Sequence, residues 1–159
     1  MMSLNLTIKD ILQKPSFKNA KLIAGESGLD RVVKWVHIME VTDIGKLLNG
    51  SELILSTGLG WQKNNDDSLS FHSQLIESQV SGLCIELFKY THDISDKMIE
   101  LANSHGFPII TFESEVRFID ITQDINTSLM NIQYKILSDL ELFSKKLNQL
   151  LIKPDAFKG

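Results

Sequence analysis

Several things are scarce in this sequence of 159 residues, and each shortage excludes a class of protein. A single cysteine, Cys84, excludes an internal disulfide and a cysteine zinc cluster, and it is typical of a reducing cytosol. The chain has 16 lysine and arginine residues against 20 acidic residues. This negative net charge argues against the basic face that binding nucleic acid requires. No apolar run reaches the roughly 18 residues of a membrane span, and the N-terminus has no signal-peptide core. These shortages predict a soluble cytoplasmic protein, or a piece of one.

Nucleotide-binding glycine motifs are also absent. The stretch "ELILSTGLGW", Glu52–Trp61, ends an apolar run at a glycine-bearing turn, which is how many nucleotide-binding folds begin. A P-loop would continue with Gly-Lys-Ser/Thr, but the first lysine after this turn, Lys63, precedes an asparagine. A dinucleotide-binding turn would need a third glycine after Gly58 and Gly60, at the position that Lys63 occupies. We therefore expect neither a phosphate loop nor a cofactor here.

The first half of the chain alternates short apolar segments with polar turns. Thr7 is expected to cap a first helix, with Asp10 three residues later in a variant of the capping box. Segments rich in β-branched and aromatic residues predict strands over Ala20–Gly25, Arg31–Glu40 and Leu53–Ser56. Thr42 is predicted to cap a short helix that Gly50 ends.

The second half is more regular. Helices are predicted over Asp66–Gln79 and from Asp93 to the stop at Gly106, and strands over Gly82–Phe88 and Pro108–Glu113. Helix-length segments between short apolar strands indicate right-handed βαβ units. The predicted class is therefore α/β, a mostly parallel sheet flanked by helices, with room for antiparallel pairing in the Ala20–Glu40 region.

The C-terminal part carries an apolar repeat of 11 residues. Over three cycles with 4-4-3 spacing it consists of Ile121, Ile125, Leu129, Ile132, Ile136, Leu140, Phe143, Leu147 and Leu151. A period of about 3.67 residues per turn predicts a nearly straight helical seam. No glycine or proline interrupts residues 117–153, so a helix of about 50 Å is expected, ended by Pro154. Its first half should pack on its own domain and its far end should need a partner, which predicts a homodimer through this helix.

Four motifs in the first sixty residues carry a family resemblance. They are an opening "IKDIL" helix, the strand "VKWVHIME", an Asp before a short helix that leads to "LLNGSE", and "LILSTGLG". Together they resemble the N-terminal domain of the PucR-type purine catabolism regulators, and the resemblance extends to about Ile132. Such proteins are bacterial transcription regulators, in which this domain senses a small molecule or relays a signal while a C-terminal helix-turn-helix binds DNA. The resemblance thus implies a regulatory domain over 1–116, a connecting helix over 117–153, a tail over 154–159, and DNA binding only through a part absent here.

The same resemblance makes "STGLG" a family signature at the carboxyl end of a strand, where open α/β sheets place ligands. We expect Ser56, Thr57 and Gly58 to form a site for a small polar effector such as a purine or ureide. Expected polar neighbours are Glu40, Asp43 and Glu86. The alternative is that Ser-Thr-Gly only satisfies backbone groups at a tight corner. No metal ligand, catalytic residue or cofactor is expected.

Other arrangements of the same residues stay open as alternatives. His37, Glu40 and Asp43 would bind a metal only if the strand bends, because residues three apart on a strand point to opposite faces. A hydrolase would pair Ser56 or Thr57 with His37, but no spacing rule supports that pair. The remaining histidines, His72, His92 and His105, are expected at the surface or at caps, and Cys84 in the core. The competing functions are a ligand-free oligomerisation module and a small hydrolase-type enzyme.

Overall fold

A computed structural model describes residues 5–40, 48–58, 65–87 and 94–152. The strands are β1 (Ala20–Ala24), β2 (Trp35–Ile38), β3 (Glu52–Ser56), β4 (Gly82–Glu86) and β5 (Ile109–Phe112). The helices in these ranges are α1 (Ile8–Leu12), α2 (Asn65–Glu77), α3 (Asp96–Ser104) and α4 (Phe118–Ile152), with 3-10 turns at Pro15–Phe17 and Glu26–Gly28.

The five strands form one sheet in the order β1-β5-β4-β3-β2. The pairs β2–β3, β3–β4 and β4–β5 are parallel, and β1 pairs antiparallel with β5. The predicted α/β class with a mostly parallel sheet is confirmed, and so is the antiparallel pairing in the Ala20–Glu40 region. The carboxyl ends of β2, β3 and β4 therefore meet at one edge of the sheet, which we call the carboxyl edge.

Alternation along the strands gives the sheet two apolar faces. Residues of one parity, such as Ile54 and Ile85, pack with α2 and α3 around Phe71. Residues of the other parity, such as Leu55 and Cys84, pack with α1 and the first turns of α4. Because both faces are covered, β3 and β4 are buried along their whole length, which is typical of strands with continuous apolar runs.

Two elements begin several residues later than predicted. Strand β2 begins at Trp35 and not at Arg31, because Val33 donates its N–H to the Leu6 carbonyl and Lys34 to that of Ser51. These bonds tie the chain before β2 to the α1 side and to the start of β3. Helix α3 begins at Asp96, because the Ser95 hydroxyl accepts the Met98 N–H and so provides the N-cap.

The first helix is short and is capped as predicted. Thr7 donates its N–H to the Asp10 carboxylate at 3.0 Å, and its hydroxyl accepts the Asp10 N–H at 3.3 Å. Aspartate therefore completes the capping box in the place of glutamate or glutamine. Ile8 and Ile11 are buried on the inner side of this single turn.

Helix α4 has 35 residues, which corresponds to about 52 Å. Ile121 and Ile125 are buried against the sheet, and Leu129 and Ile132 are partly buried beside them. We call the residues of the 11-residue repeat the apolar stripe of α4. Beyond Ile132 this stripe becomes uncovered, since Leu140 and Phe143 are 59% and 66% exposed. The predicted helix and the packing of its first half are confirmed. Among the described residues, no helix combines the length and the apolar composition needed to cross a bilayer.

Candidate functional site

Glu40 connects two strands at the carboxyl edge. It lies two residues after β2, and its carboxylate accepts hydrogen bonds from the turn that follows β3. Oε1 accepts from the Thr57 N–H and from the Thr57 hydroxyl, both at 2.9 Å, and Oε2 accepts from the Ser56 hydroxyl at 3.0 Å. One carboxylate therefore fixes the position of a turn that lies 16 residues further along the chain.

The turn itself is closed by Gly58. Its N–H donates to the Ser56 hydroxyl at 3.2 Å, and its φ of +78° lies in the left-handed region that favours glycine. Ser56 and Gly58 are buried, whereas Thr57 is half-buried. The structure thus brings together four of the six residues that the sequence proposed for a site: Glu40, Ser56, Thr57 and Gly58. We refer to these four residues as the Glu40 network.

Glu86 lies at the same edge but on the other face of the sheet. Ser56 has the parity of Ile54 and faces α2 and α3, whereas Glu86 has the parity of Cys84 and faces α4. The Glu86 carboxylate is buried and accepts the Val116 N–H at 3.0 Å. This hydrogen bond joins the end of β4 to the segment just before α4.

The sixth proposed residue, Asp43, lies outside the described residues. So do the rest of the segments that follow the strands at the carboxyl edge, residues 41–47 after β2, 59–64 after β3 and 88–93 after β4. His37, which both the metal alternative and the hydrolase alternative require, lies in β2 with an exposed side chain. The hydroxyls of Ser56 and Thr57, the two candidate nucleophiles of the hydrolase alternative, both donate to Glu40.

The opposite end of β3 has a second turn that the sequence only hinted at. Gly50 and Ser51 both have positive φ, +89° and +65°, and Glu52 is buried at the first position of the strand. The Glu52 carboxylate accepts the Asn49 N–H at 2.8 Å, so it closes the turn that leads into β3. This contact explains the spacing of glycine and glutamate in "LLNGSE" as a structural requirement.

A polar cluster ties α4 to the 3-10 turn at Pro15–Phe17. Asp124 forms an ion pair with Lys14 at 3.0 Å and accepts the Ser16 hydroxyl at 2.7 Å. The hydrogen bond from Ser16 and the nearby Lys14 lower the pKa of Asp124, against the opposing effect of partial burial. Sequence analysis missed this cluster because its members lie more than 100 residues apart, and no local pattern marks them.

Arg31 forms an anchor at the opposite edge of the sheet. Its guanidinium donates to the carbonyls of Val80 at 3.0 Å and His105 at 2.9 Å, and it lies 6.0 Å from the centre of the Phe107 ring. Partial burial lowers the pKa of this guanidinium. Arg31 was predicted as a strand residue, but it lies before β2, and its side chain joins this segment to the segments before β4 and β5.

Two buried residues complete the comparison with the sequence. His72 was predicted at the surface or at a cap, and this was wrong: it is fully buried in α2, with its ring edge-on to Phe71. Helix α2 packs against the sheet and also against the neighbouring α3, so it buries more than its apolar stripe. Cys84 lies in the core as predicted, and burial raises the pKa of its thiol, which makes it a poor nucleophile.

Comparison of the sequence with known proteins places this chain in a family. Residues 10–129 match the model of the purine catabolism regulatory protein-like family. The chain is 32% identical over 146 residues to the purine catabolism regulatory protein of Bacillus subtilis (strain 168), which covers 92% of the chain and 26% of that protein. It is 25% identical over 128 residues to the transcriptional activator PmfR of Paenarthrobacter nicotinovorans, covering 80% and 27%. The chain thus spans about a quarter of the length of these relatives.

The CBS and DRTGG domains of the regulatory region of Clostridium perfringens pyrophosphatase, complexed with the activator diadenosine tetraphosphate, match with a TM-score of 0.46 and 17% identity. The match covers 72% of this chain and 47% of the other.

Proposed function

Because the chain belongs to the purine catabolism regulatory protein-like family, we propose that it is the effector-sensing or signal-relaying domain of a bacterial transcription regulator. The observation that carries this proposal is the Glu40 network, in which two of the family-like motifs, "VHIME" and "LILSTGLG", meet at the carboxyl edge. DNA binding would belong to another part of the regulator.

The site proposed for the effector is the carboxyl edge beside the Glu40 network. Open α/β sheets bind ligands in the crevice outside the carboxyl ends of their strands. Here the edge combines the Glu40 carboxylate with hydroxyls and the backbone of a glycine turn, which bond to one another and would exchange some of these bonds for bonds to a ligand. Purines and ureides carry several N–H donors and carbonyl acceptors, so this set of groups suits such a ligand.

Glu86 gives the proposed site a connection to α4. Its carboxylate ends β4 at the carboxyl edge and accepts the Val116 N–H, two residues before α4 begins. A ligand that shifts the end of β4 would therefore act on the start of the helix. In this proposal, residues 1–116 form the sensing domain, 117–153 transmit the change, and 154–159 are a tail.

Dimerisation is the second part of the proposal. The far half of α4 exposes a continuous apolar stripe, which single soluble chains rarely tolerate. Replacing Ile136 and Leu140 with lysine should shift the protein to monomer in analytical ultracentrifugation. A wild-type protein that is monomeric at high micromolar concentration would contradict this part.

The ligand site is tested by a thermal-shift screen against purines, ureides, amino acids and nucleotides, followed by calorimetry with each hit. Gly58→Val should abolish binding, because a side chain at φ +78° strains the turn or blocks the approach to its backbone. Gly50→Val is the matched control. Gly50 has a similar φ of +89° at the other end of the same strand, so the variant should lose stability and keep the ligand.

A third variant measures a single polar group. Thr57→Val removes the hydroxyl and keeps the shape, so binding should weaken by about one hydrogen bond, roughly 0.5–1.5 kcal/mol. If folded Gly58→Val and Thr57→Val bind a confirmed effector as the wild type does, the turn is a corner and the pocket lies elsewhere. Saturable binding without turnover supports a sensor, turnover would indicate an enzyme, and neither would leave a ligand-free module.

A further inference from the structure

The uncovered stripe of α4 is symmetric along its own length. Its residues from 132 to 151 are spaced 4, 4, 3, 4 and 4 apart, a series that is the same in both directions: Ile132, Ile136, Leu140, Phe143, Leu147 and Leu151. The centre of the series lies between Leu140 and Phe143. A second α4 that runs antiparallel about this centre therefore sets each stripe residue level with another stripe residue. Leu140 is then level with Phe143 of the second copy, and Ile132 with Leu151.

An apolar groove lies where the far end of that second helix would arrive. The groove, of about 210 Å³, is formed between the domain and α4 and is lined mainly by Leu6, Val33, Trp35, Leu129, Ile132 and Ile136. Trp35 stands on β2, the edge strand of the sheet, and is 53% exposed. Because Leu151 of the second copy is level with Ile132, it would enter this groove and cover Trp35. The stripe and the groove thus form one continuous apolar surface.

The charges along the same segment fit the antiparallel direction. Two acidic residues, Asp139 and Glu141, precede two basic residues, Lys145 and Lys146. About the centre of the stripe, Asp139 is level with residue 144 of the second copy and so lies within one helical turn of its Lys146, on the same flank of the stripe. Lys145 forms an ion pair with Glu141 of its own helix at 3.7 Å. In a parallel pair in register, each charge would instead be level with its own copy, and the groove would stay empty.

From these three observations we propose that a second copy of this chain covers the stripe as an antiparallel α4 pair, with the end of each helix in the other copy's groove. This arrangement rests on the dimerisation proposed above. The overlap of residues 132–151 is about 30 Å long, which keeps the two domains at opposite ends of the pair. The two grooves are then filled by symmetry, one by each helix.

Engineered cysteines distinguish the direction of the helices. In the double variant Ile132→Cys/Leu151→Cys, mild oxidation should give a covalent dimer on a non-reducing gel. Each single variant should give at least tenfold less. The two positions are about 28 Å apart along one helix, so they cannot join within a chain. Cys84 is buried, and the wild-type protein should stay uncross-linked under the same conditions.

A pair of aromatic variants tests the groove separately. Trp35→Ala should weaken dimerisation at least tenfold in sedimentation experiments. Tyr134→Ala should leave it unchanged, because Tyr134 is 74% exposed on the side of α4 away from the stripe.

The outcomes separate the arrangement from dimerisation itself. Efficient cross-linking of Leu151→Cys alone would overturn the antiparallel arrangement and leave the dimer standing. A dimer that cross-links in none of these variants would overturn the pairing of α4, and a monomeric wild type would overturn both.

Discussion

Replacing Glu40 with alanine should destabilise the domain by an amount that the geometry allows us to estimate. The change removes the acceptor of three hydrogen bonds, one from the Thr57 N–H and two from the hydroxyls of Thr57 and Ser56. A hydrogen bond to a charged group contributes about 1.5–3 kcal/mol. Since Glu40 is half-buried and the three bonds share one carboxylate, they will not add fully. We expect a loss of about 2–4 kcal/mol in the free energy of unfolding.

The assay is urea denaturation at pH 7, analysed by linear extrapolation. Glu113→Ala is the matched control, because Glu113 follows β5 at the same edge and forms an ion pair with Lys21 at 3.1 Å in which both side chains are exposed. Such an exposed pair contributes about 0–1 kcal/mol. If Glu40→Ala costs no more than Glu113→Ala, then Glu40 does not hold the turn after β3 and the reasoning fails.

Two further predictions concern positions away from the carboxyl edge. A Cβ at Gly25 would lie 2.0 Å from the Phe107 carbonyl oxygen, whereas for one at Gly50 the nearest atom of the described residues is the Ser78 carbonyl oxygen at 3.5 Å, and both glycines have positive φ. Gly25→Ala should therefore lower the free energy of unfolding well beyond the roughly 1–2 kcal/mol of left-handed strain expected for Gly50→Ala; equal losses in urea titrations would contradict the close approach. The lowered pKa of Asp124 stabilises the folded state above the ordinary aspartate pKa of 3.8, and this contribution is lost as the pH falls through the folded pKa. The stability advantage of wild type over Asp124→Asn should thus be present at pH 6 and shrink below about pH 4, and an advantage that is constant across this range would argue against the ion pair.

The sequence predicted most of the elements because their signals are local. Two continuous apolar runs, one from Leu53 and one that follows Gly82, mark β3 and β4. Such runs are typical of strands buried on both faces. The 11-residue repeat marks α4, and the length of the helix it predicts exceeds that of a domain of this size, so the far end was expected to leave the domain. The start of β2 at Trp35 was not predicted, since β-branched residues before it favour a strand until bonds to Leu6 and Ser51 are known.

Part of the geometry around the turn after β3 was also predicted, because parallel strands end at the same edge of a sheet. Glu40 was named as a neighbour of the turn, and the structure shows its contacts with Ser56 and Thr57. The alternation along β4 determines on which face of the sheet Glu86 lies. Which helix covers that face depends on the topology, and the sequence leaves this open. The Asp124 cluster depends on contacts between distant segments, which leave no periodic signal.

The proposed effector site is tested most directly by titrating isotope-labelled protein with a confirmed effector and following the backbone amide resonances. The account predicts that the amides of Thr57 and Gly58 shift in a saturable way, followed by that of Val116, which Glu86 connects to the carboxyl edge. The amides of Gly50 and Ser81, at the other end of the strands, should stay in place. Saturable shifts confined to Gly50, Ser81 and their neighbours, with Thr57 and Gly58 unmoved, would contradict a site at the carboxyl edge.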